Sequence, residues 1–199
     1  MAMIPILVVP GLGGSGENHW QTHLERSLPG TVRVQQDDWD RPDLVRWVGR
    51  LSGAVEARPG AILVAHSLGC PLVAHLAFRR PDLLVAAAVL VAPADVDSKR
   101  HTPDHIRNFA PIPLLRFPFR SIVVASRNDP YIEISRAREL AAAWGSDFFD
   151  AGPSGHINIQ SGFGRWEEGE RIVSSMITEQ QAYASFANGP SPLQAASGR

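Results

Sequence analysis

Short apolar runs alternate along the chain with longer segments in which apolar residues recur every three or four positions. The apolar runs are rich in Val, Ile, Leu, Ala or Phe and are bounded by Gly, Pro or Asp, which is typical of buried strands. They predict six strands, over residues 4–9, 31–35, 61–66, 84–92, 121–126 and 147–150. The segments of helical period predict five helices, over residues 18–28, 42–57, 68–79, 133–144 and 165–184. Because strands that alternate with helices form parallel sheets, the pattern predicts a compact α/β fold with a mostly parallel six-stranded sheet and helices on both faces.

Two segments depart from this alternation. Five prolines break any regular element in residues 93–120, so we expect a long loop there with at most one helical turn. Loops of this length in a small domain are often lids or binding loops, and we expect this one to roof a pocket. Residues 185–199 are rich in Gly, Ser, Ala and Pro, which predicts a disordered tail after one domain that spans residues 1–184.

Composition and charge narrow the range of partners. The chain has 199 residues, enough for one sizeable core, and its formal net charge of −1 provides no general field to hold nucleic acid or an anionic membrane. The apolar run near the start has no basic segment before it and is too short to span a bilayer. A single cysteine excludes an internal disulfide and a thiolate-rich metal site, which fits a reducing compartment. We therefore expect a cytoplasmic protein that acts on a small molecule, with protein partners left open.

A serine follows the third predicted strand in a pattern that nucleophiles use. Residues 61–72 read AILVAHSLGCPL, so that Ser67 lies between a buried strand and a segment of helical period. The sharp strand-to-helix turn of a nucleophile elbow needs small residues two positions before and two positions after the serine. Gly69 meets the second requirement, and Ala65 stands where the usual pattern has glycine. The alternative is that Ser67 only caps the N-terminus of the helix.

An acid and a histidine follow the fifth and sixth predicted strands. Asp129 lies in SRNDPY and His156 lies in GPSGHIN. Taken singly, Asp129 is more typical of a turn that ends a strand, and His156 is more typical of a surface loop. The carboxyl ends of parallel strands meet at one sheet edge, however, so Ser67, Asp129 and His156 are expected to lie there together. Their order along the chain is that of the catalytic triad in α/β-hydrolases.

A glycine-rich turn follows the first strand, where residues 9–16 read VPGLGGSG. Backbone N–H groups in such a turn can hold a developing oxyanion, and we expect the N–H groups of Leu12 and Leu68 to form this oxyanion hole. The alternative is a dinucleotide-binding turn, because the segment also fits G-x-G-x-x-G and Asp37 or Asp38 follows at a suitable distance. That alternative leaves the serine, the acid and the histidine unexplained, so we expect no cofactor.

Other residues near these motifs have both a functional and a structural interpretation. His19 and Trp20 follow the glycine-rich turn and Trp39 follows the second strand, so all three are candidate walls of a substrate pocket. The alternative is that they anchor the core. His66 is expected to pack beneath the turn that carries the serine, and Cys70 to act as a small packing residue at the start of a buried helix.

The acidic stretch DDWD is the candidate metal site of the sequence. Asp37, Asp38 and Asp40 bring three carboxylates close together. Carboxylates without a nearby histidine are more often a solvated turn, so we predict no metal.

Six stretches are distributed over residues 4–168: GLGGSGENHWQTHLE, DDWDRP, AHSLGC, FPFRSIVVASRNDPY, AWGS and GHINIQSGFGRW. In these stretches the sequence resembles the small serine hydrolases of the retinoblastoma-binding-protein type and their bacterial relatives. The resemblance implies a short α/β-hydrolase fold with a minimal cap, with Ser67 as nucleophile, His156 as general base and acid, and Asp129 as the orienting carboxylate. The chain has no L-x-C-x-E stretch, so binding to a retinoblastoma-type protein is not implied.

Taken together, the sequence predicts a serine hydrolase that cleaves small carboxylic esters through an acyl-enzyme, with amides left open as substrates. A chain of 199 residues has no room for a large cap domain, which favours small substrates. Acyl transfer to an acceptor other than water uses the same triad and is also left open. The alternative from another class is a non-catalytic binding module with the same fold, and such a protein would be expected to have lost a member of the triad.

Overall fold

The computed structural model describes residues 3–187, in which six strands form a single parallel sheet. The strands are β1 (Ile6–Val9), β2 (Thr31–Arg33), β3 (Ala61–His66), β4 (Val85–Val91), β5 (Arg120–Ala125) and β6 (Asp147–Asp150). The helices are α1 (Trp20–Ser27), α2 (Leu44–Glu56), α3 (Gly69–Arg79), α4 (Ile134–Trp144) and α5 (Glu167–Ala187). The strand order is β2-β1-β3-β4-β5-β6, and every pairing is parallel. The predicted α/β fold is confirmed.

Helices cover the sheet from both sides, so the central strands are buried on two faces. Alternate residues of a strand point to opposite faces. In β3, Leu63 packs in a core with α2, α3 and α4, whereas Val64 packs in a second core with α1 and α5. Strands buried in this way need apolar residues at every position, which is why they appear in the sequence as uninterrupted apolar runs.

Local sequence sets the ends of the helices. Asp43 precedes α2, and its Oδ1 accepts a hydrogen bond from the backbone N–H of Arg46 at 2.9 Å. This bond satisfies one of the free N–H groups in the first turn of the helix. At the other end of a helix, α4 stops at Gly145, whose φ of 68° lies in the left-handed region that glycine adopts at little cost.

The connection between β4 and β5 is irregular, as its prolines predict. It contains one short 3-10 helix, Asp104–Phe109. Ile106 and Phe109 within this helix are buried in the same core as α2, α3 and α4. The connection is therefore packed onto the sheet edge that carries the carboxyl ends of the strands.

The C-terminal helix α5 continues to Ala187, three residues beyond the predicted end of the domain at residue 184. Residues 188–199 of the predicted disordered tail lie outside the described residues, so the division of the chain into a domain and a tail stays a prediction. No helix within residues 3–187 is long and apolar enough to cross a membrane.

Candidate active site

Three polar side chains meet at the carboxyl edge of the sheet. Ser67 follows β3 directly, Asp129 lies in the turn after β5, and His156 lies in the loop after β6. The Oγ of Ser67 lies 2.8 Å from Nε2 of His156. The Nδ1 of His156 lies 2.9 Å from each carboxylate oxygen of Asp129. The structure therefore brings the three predicted residues into one continuous hydrogen-bonded line.

A tight turn presents Ser67. Its φ of 54° lies in the left-handed region, which residues with a side chain rarely adopt. A Cβ added to Gly69 would overlap the carbonyl oxygen of Val9, and one added to Gly11 would lie 2.8 Å from the Cβ of Ser67. Both positions therefore require glycine. Ala65 is fully buried, which shows that one methyl group fits where the usual pattern has glycine.

The acid and the histidine are shielded from water. Asp129 is 7% exposed and His156 is 5% exposed. The Oδ1 of Asp129 also accepts a hydrogen bond from the backbone N–H of Tyr131 at 2.9 Å, and the Tyr131 ring packs on the imidazole with ring centroids 4.4 Å apart. A shielded carboxylate interacts strongly with a positive charge that forms on the imidazole. The arrangement can therefore take a proton from Ser67 and hold it on the histidine.

His66 supports the backbone of this histidine. Its Nε2 lies 3.0 Å from the carbonyl oxygen of His156, and the two rings lie 4.9 Å apart. Burial, followed by the neighbouring rings of His156 and His19, lowers the pKa of His66 well below its ordinary value. The ring is therefore neutral at pH 7, with Nε2–H donating to the carbonyl. His66 fixes the loop without adding a second positive charge beside His156.

His19 lies behind His66 rather than in the cleft. The two rings are 4.8 Å apart. The Nδ1 of His19 accepts a hydrogen bond from the backbone N–H of Gln21 at 3.2 Å and so caps α1. Burial, together with the charge of Arg33 and the ring of His156, lowers the pKa of His19 to about 4. His19 is thus a neutral cap and packing group.

The two predicted tryptophan walls also serve the scaffold. The indole N–H of Trp20 donates to the carbonyl oxygen of Ile157 at 2.9 Å, which holds the loop that carries His156. Trp39 packs edge-on against Trp47, and its carbonyl oxygen accepts a hydrogen bond from the N–H of Gly13 at 3.0 Å. Neither these residues nor His19 line the cleft beside the serine. All three contact the segments around this cleft instead.

The cleft that contains Ser67 has a volume of about 460 Å³. Its apolar lining comes from the glycine-rich turn, from the connection after β4 and from the turn after β5, with Leu12, Ala94, Pro103, Ile106 and Tyr131. Its polar lining comes from the loop after β6, with Asn158, Gln160 and Ser161. Ala94, Pro103 and Ile106 belong to no motif, and only the length of the connection after β4 indicated that it would roof a pocket.

The two predicted oxyanion donors lie next to the serine. Leu12 and Leu68 both line the cleft. A Cβ on Gly11 would lie 3.0 Å from the backbone nitrogen of Leu68, so the glycine-rich turn and the turn that carries Ser67 are in close contact. Within residues 3–187, neither N–H donates a hydrogen bond to a protein acceptor.

Arginines pair with two of the carboxylates in the acidic stretch. Asp37 forms an ion pair with Arg50, and Oδ2 of Asp38 lies 2.9 Å from Nε of Arg41. Hydrogen bonds from Arg50 to Asp37, and from Arg41 to Asp38, lower the pKa of both carboxyl groups. In the part of the chain that the structure describes, no group of three His, Cys, Asp or Glu side chains could hold a metal ion.

Cys70 lies three residues after the serine, within α3. It is fully buried, and its thiol donates to the carbonyl oxygen of Val91 at 3.4 Å. Burial raises the pKa of the thiol well above its ordinary value. The side chain therefore packs as a small apolar residue and is not a second nucleophile.

Comparison with protein families agrees with this geometry. A model of the serine hydrolase family matches residues 6–175, which is most of the chain. Comparison with curated proteins gives no match.

Solved structures show the same architecture. A YdeN-like hydrolase from Pectobacterium atrosepticum is 32% identical with a TM-score of 0.79, over 89% of this chain and 92% of that chain. The ydeN gene product from B. subtilis is 21% identical with a TM-score of 0.71, over 88% and 99% of the two chains. The esterase domain of a Rhodothermus marinus protein is 15% identical with a TM-score of 0.65, over 88% of each chain, and shares the fold. The chain therefore belongs to the serine hydrolase family, as a small hydrolase of the α/β-hydrolase superfamily.

Proposed function

We propose that the protein is a carboxylesterase-like enzyme that cleaves small carboxylic esters with a triad of Ser67, His156 and Asp129. One observation carries the proposal: the hydrogen-bonded line from Asp129 through His156 ends at the hydroxyl group of Ser67, which lines an open cleft. Membership of the serine hydrolase family and the esterase of the same fold support it. Amides are the second substrate class for the same chemistry.

Acylation begins when Oγ of Ser67 attacks the carbonyl carbon of the ester and its proton moves to Nε2 of His156. The carbonyl electron pair moves to the oxygen, which becomes an oxyanion that accepts hydrogen bonds from the N–H groups of Leu12 and Leu68. Asp129 holds the imidazole with Nδ1–H towards the carboxylate and stabilises the imidazolium. When the intermediate collapses, the bond to the alcohol oxygen breaks and Nε2–H protonates the departing alcohol.

Deacylation repeats these steps with water as nucleophile. His156 takes a proton from the water at Nε2 while the water oxygen attacks the acyl carbon. The same N–H groups hold the second oxyanion. The bond to Oγ of Ser67 then breaks, and the proton on Nε2 returns to Oγ. The products are a carboxylic acid and an alcohol, and the enzyme is regenerated.

The lining of the cleft supports a small and mainly apolar substrate. A volume of about 460 Å³ lies within the usual range for small-molecule sites. Leu12 and Ile106 offer apolar contacts in the cleft, and Gln160 offers an amide. We assign the acyl group to contacts with the apolar residues, and a neutral, hydrogen-bonding alcohol to contacts with the polar residues. The sequence also predicts that the protein acts on a small molecule rather than on nucleic acid or a membrane. Its cytoplasmic location is likewise a prediction from the sequence.

The test is labelling of the purified protein with a fluorophosphonate probe, with p-nitrophenyl esters of two to eight acyl carbons assayed in parallel. We expect labelling of the wild type, none of Ser67→Ala, and a large loss of rate in His156→Ala. Ser121→Ala is the matched control. It removes a buried serine hydroxyl that bonds to Oγ of Ser146 at 2.6 Å, at the amino end of β5 and far from the cleft.

The outcomes separate an enzyme from a binding module. Labelling that disappears only in the Ser67 and His156 variants supports the proposal, and the ester series then gives the length of the acyl group. A folded wild-type protein that neither labels nor hydrolyses any ester overturns it and favours a non-catalytic module with this fold.

A further inference from the structure

The glycine loop, residues 11–16, carries the Leu12 N–H that the proposed mechanism uses. Its consecutive residues Gly13, Gly14 and Ser15 have φ of 74°, 76° and 54°. Glycine adopts many other backbone conformations at similar cost, so a loop of this composition stays in one conformation only if its surroundings hold it. The contacts around the glycine loop therefore determine where the Leu12 N–H lies.

Arg33, the last residue of β2, binds the second half of the glycine loop. Its Nη1 donates to the carbonyl oxygens of Gly14 at 2.6 Å and Ser15 at 2.7 Å. Its Nη2 donates to Oγ1 of Thr22 at 2.6 Å, and its Nε donates to Oε1 of Glu25 at 2.7 Å. The side chain is 17% exposed, so these bonds are largely shielded from water. Charged donors in such surroundings make the stronger class of hydrogen bond.

Gln21 joins the same loop to the sheet. The side chain is completely buried. Its Oε1 accepts a hydrogen bond from Oγ of Ser15 at 2.6 Å. Its Nε2 donates to the carbonyl oxygens of Val64 at 3.0 Å and Val9 at 3.4 Å. Ser15 is thus tied to β1 and to β3, the strand that leads into the nucleophile.

The first half of the glycine loop is held at two points. Gly11 is pressed against Ser67, and the N–H of Gly13 donates to the carbonyl oxygen of Trp39 at 3.0 Å. Leu12 lies between these two glycines. The N–H of Gly14 donates to the carbonyl oxygen of Gly11 at 3.1 Å, so the second half of the glycine loop is bonded to the segment that carries Leu12.

We propose that Arg33 and Gln21 are positioning residues for the oxyanion site, which hold the glycine loop so that the Leu12 N–H meets the developing oxyanion. This inference rests on the proposed esterase function. Neither side chain lines the cleft, so each acts through the loop rather than on the substrate. The charge of Arg33 adds to this effect, because a cation near the site favours negative charge on the substrate oxygen.

Replacing Arg33 by Met keeps an unbranched apolar stem and removes all four hydrogen bonds of the guanidinium group. Complete loss of one oxyanion donor costs about 10²–10³ in kcat, and a loosened donor costs part of this. We therefore expect kcat of Arg33→Met to fall about 10–100-fold with KM changed less than about threefold, because the ground state uses the donor weakly. Gln21→Met, which loses the bond to Ser15, is expected to change kcat in the same direction.

The assay measures kcat and KM with p-nitrophenyl acetate, and the inhibition constant of benzeneboronic acid, which forms a tetrahedral adduct with an active-site serine. We expect this constant to rise by about the same factor as kcat falls. Arg33→Lys keeps the positive charge but makes fewer hydrogen bonds, so its kcat should lie between that of the wild type and that of Arg33→Met. Glu25→Gln is the matched control, because it removes the ion pair on the side of Arg33 away from the glycine loop. It should change kcat by less than about threefold.

Urea unfolding of each variant separates positioning from folding. If Arg33→Met folds poorly, Arg33→Lys and Ser15→Ala carry the test, since Ser15→Ala removes one bond to Gln21 and leaves the guanidinium in place. The inference is overturned if the variants lose stability but keep kcat and boronate inhibition, or if KM alone changes. Failure of the wild type to label with fluorophosphonate would overturn the esterase proposal itself, so the two failures are distinguishable.

Discussion

Replacing Asp129 by Asn tests the proton path of the proposed mechanism at one atom. The substitution keeps the shape of the side chain but exchanges one carboxylate oxygen for an NH2 group. In the native structure Oδ1 of Asp129 accepts the N–H of Tyr131 at 2.9 Å, a bond that NH2 cannot make. The amide oxygen of Asn therefore stays on Tyr131, and the NH2 group takes the place of Oδ2, 2.9 Å from Nδ1 of His156. An N–H on Nδ1 would face this NH2 group, so the substitution favours an Nδ1 that accepts. The proton of the neutral imidazole moves to Nε2, where it faces Ser67 and blocks proton transfer.

The size of the effect follows from this tautomer change. Loss of the orienting carboxylate in a Ser-His-Asp triad by the same substitution lowers kcat by about 10⁴, which corresponds to about 5 kcal/mol in the barrier. KM is expected to change little, because Asp129 does not line the cleft. We therefore expect Asp129→Asn to lower kcat/KM almost entirely through kcat.

Steady-state hydrolysis of p-nitrophenyl acetate and the rate of fluorophosphonate labelling measure this effect. Asp95→Asn is the matched control, because Asp95 follows β4 at the same sheet edge, is also 7% exposed and pairs with Arg136 rather than with the imidazole. It should retain kcat within about threefold. If Asp129→Asn folds normally and keeps more than a tenth of wild-type kcat, the tautomer argument is refuted.

Three further predictions concern stability, measured by urea unfolding. Gly69→Ala should destabilise the fold by about 3 kcal/mol or more, because the added Cβ overlaps the carbonyl oxygen of Val9. In the control Gly53→Ala the added Cβ meets nothing within 4 Å, and alanine in a helix such as α2 should stabilise the fold by about 0.5–1 kcal/mol. Leu63→Ala in the centre of β3 should cost about 2–5 kcal/mol, since the side chain is fully buried. The pKa of His19 is lowered from 6.5 to about 4 in the folded protein. Between these pH values the unfolded chain binds a proton at His19 that the folded protein does not bind. The contribution of neutral His19 to the free energy of unfolding is therefore complete above pH 6.5 and is lost as pH falls towards 4. Between pH 7 and pH 4.5 the wild type should lose about 2–3 kcal/mol more than His19→Asn, which keeps a helix cap that does not titrate.

Each of these stability predictions has a contrary result. Equal stability of the Gly69 and Gly53 variants would show that the turn beneath the serine can relax. A loss below about 1 kcal/mol for Leu63→Ala would contradict its tight packing. Parallel pH profiles of the wild type and His19→Asn would show that the native His19 titrates normally.

The sequence predicted the sheet because its signal is local. Strands covered on both faces need apolar side chains at every position, so segments such as residues 61–66 stand out without knowledge of their neighbours. Ser67, Asp129 and His156 were predictable for a related reason: each follows a strand, and parallel strands bring their carboxyl ends to one edge. Their contacts agree with that prediction, and their roles await the labelling experiment.

The walls of the cleft were beyond the sequence because they depend on contacts across the fold. His19 and Trp20 lie close to the glycine loop along the chain, but their rings turn to His66 and Ile157 behind it. Ile106 lines the cleft from a connection with no motif. Arg33 is one of nineteen basic residues, and only the folded structure shows which carbonyl oxygens its guanidinium meets. The direction of each of these side chains is set by packing between segments that are distant along the chain. The periodicity of apolar residues carries no information about such contacts.

The burial of Cys70 makes the serine-bearing segment measurable by thiol exchange. It is the single cysteine of the chain, and it lies fully buried in the helix that follows the nucleophile. A disulfide reagent can therefore react only when β3 and α3 separate, so its rate in low denaturant reports the free energy of that opening. If the thiol is modified only as fast as the whole protein unfolds, the segment that carries Ser67 lies in the most stable part of the molecule. Faster modification would mean that the carboxyl edge opens while the rest of the sheet stays folded.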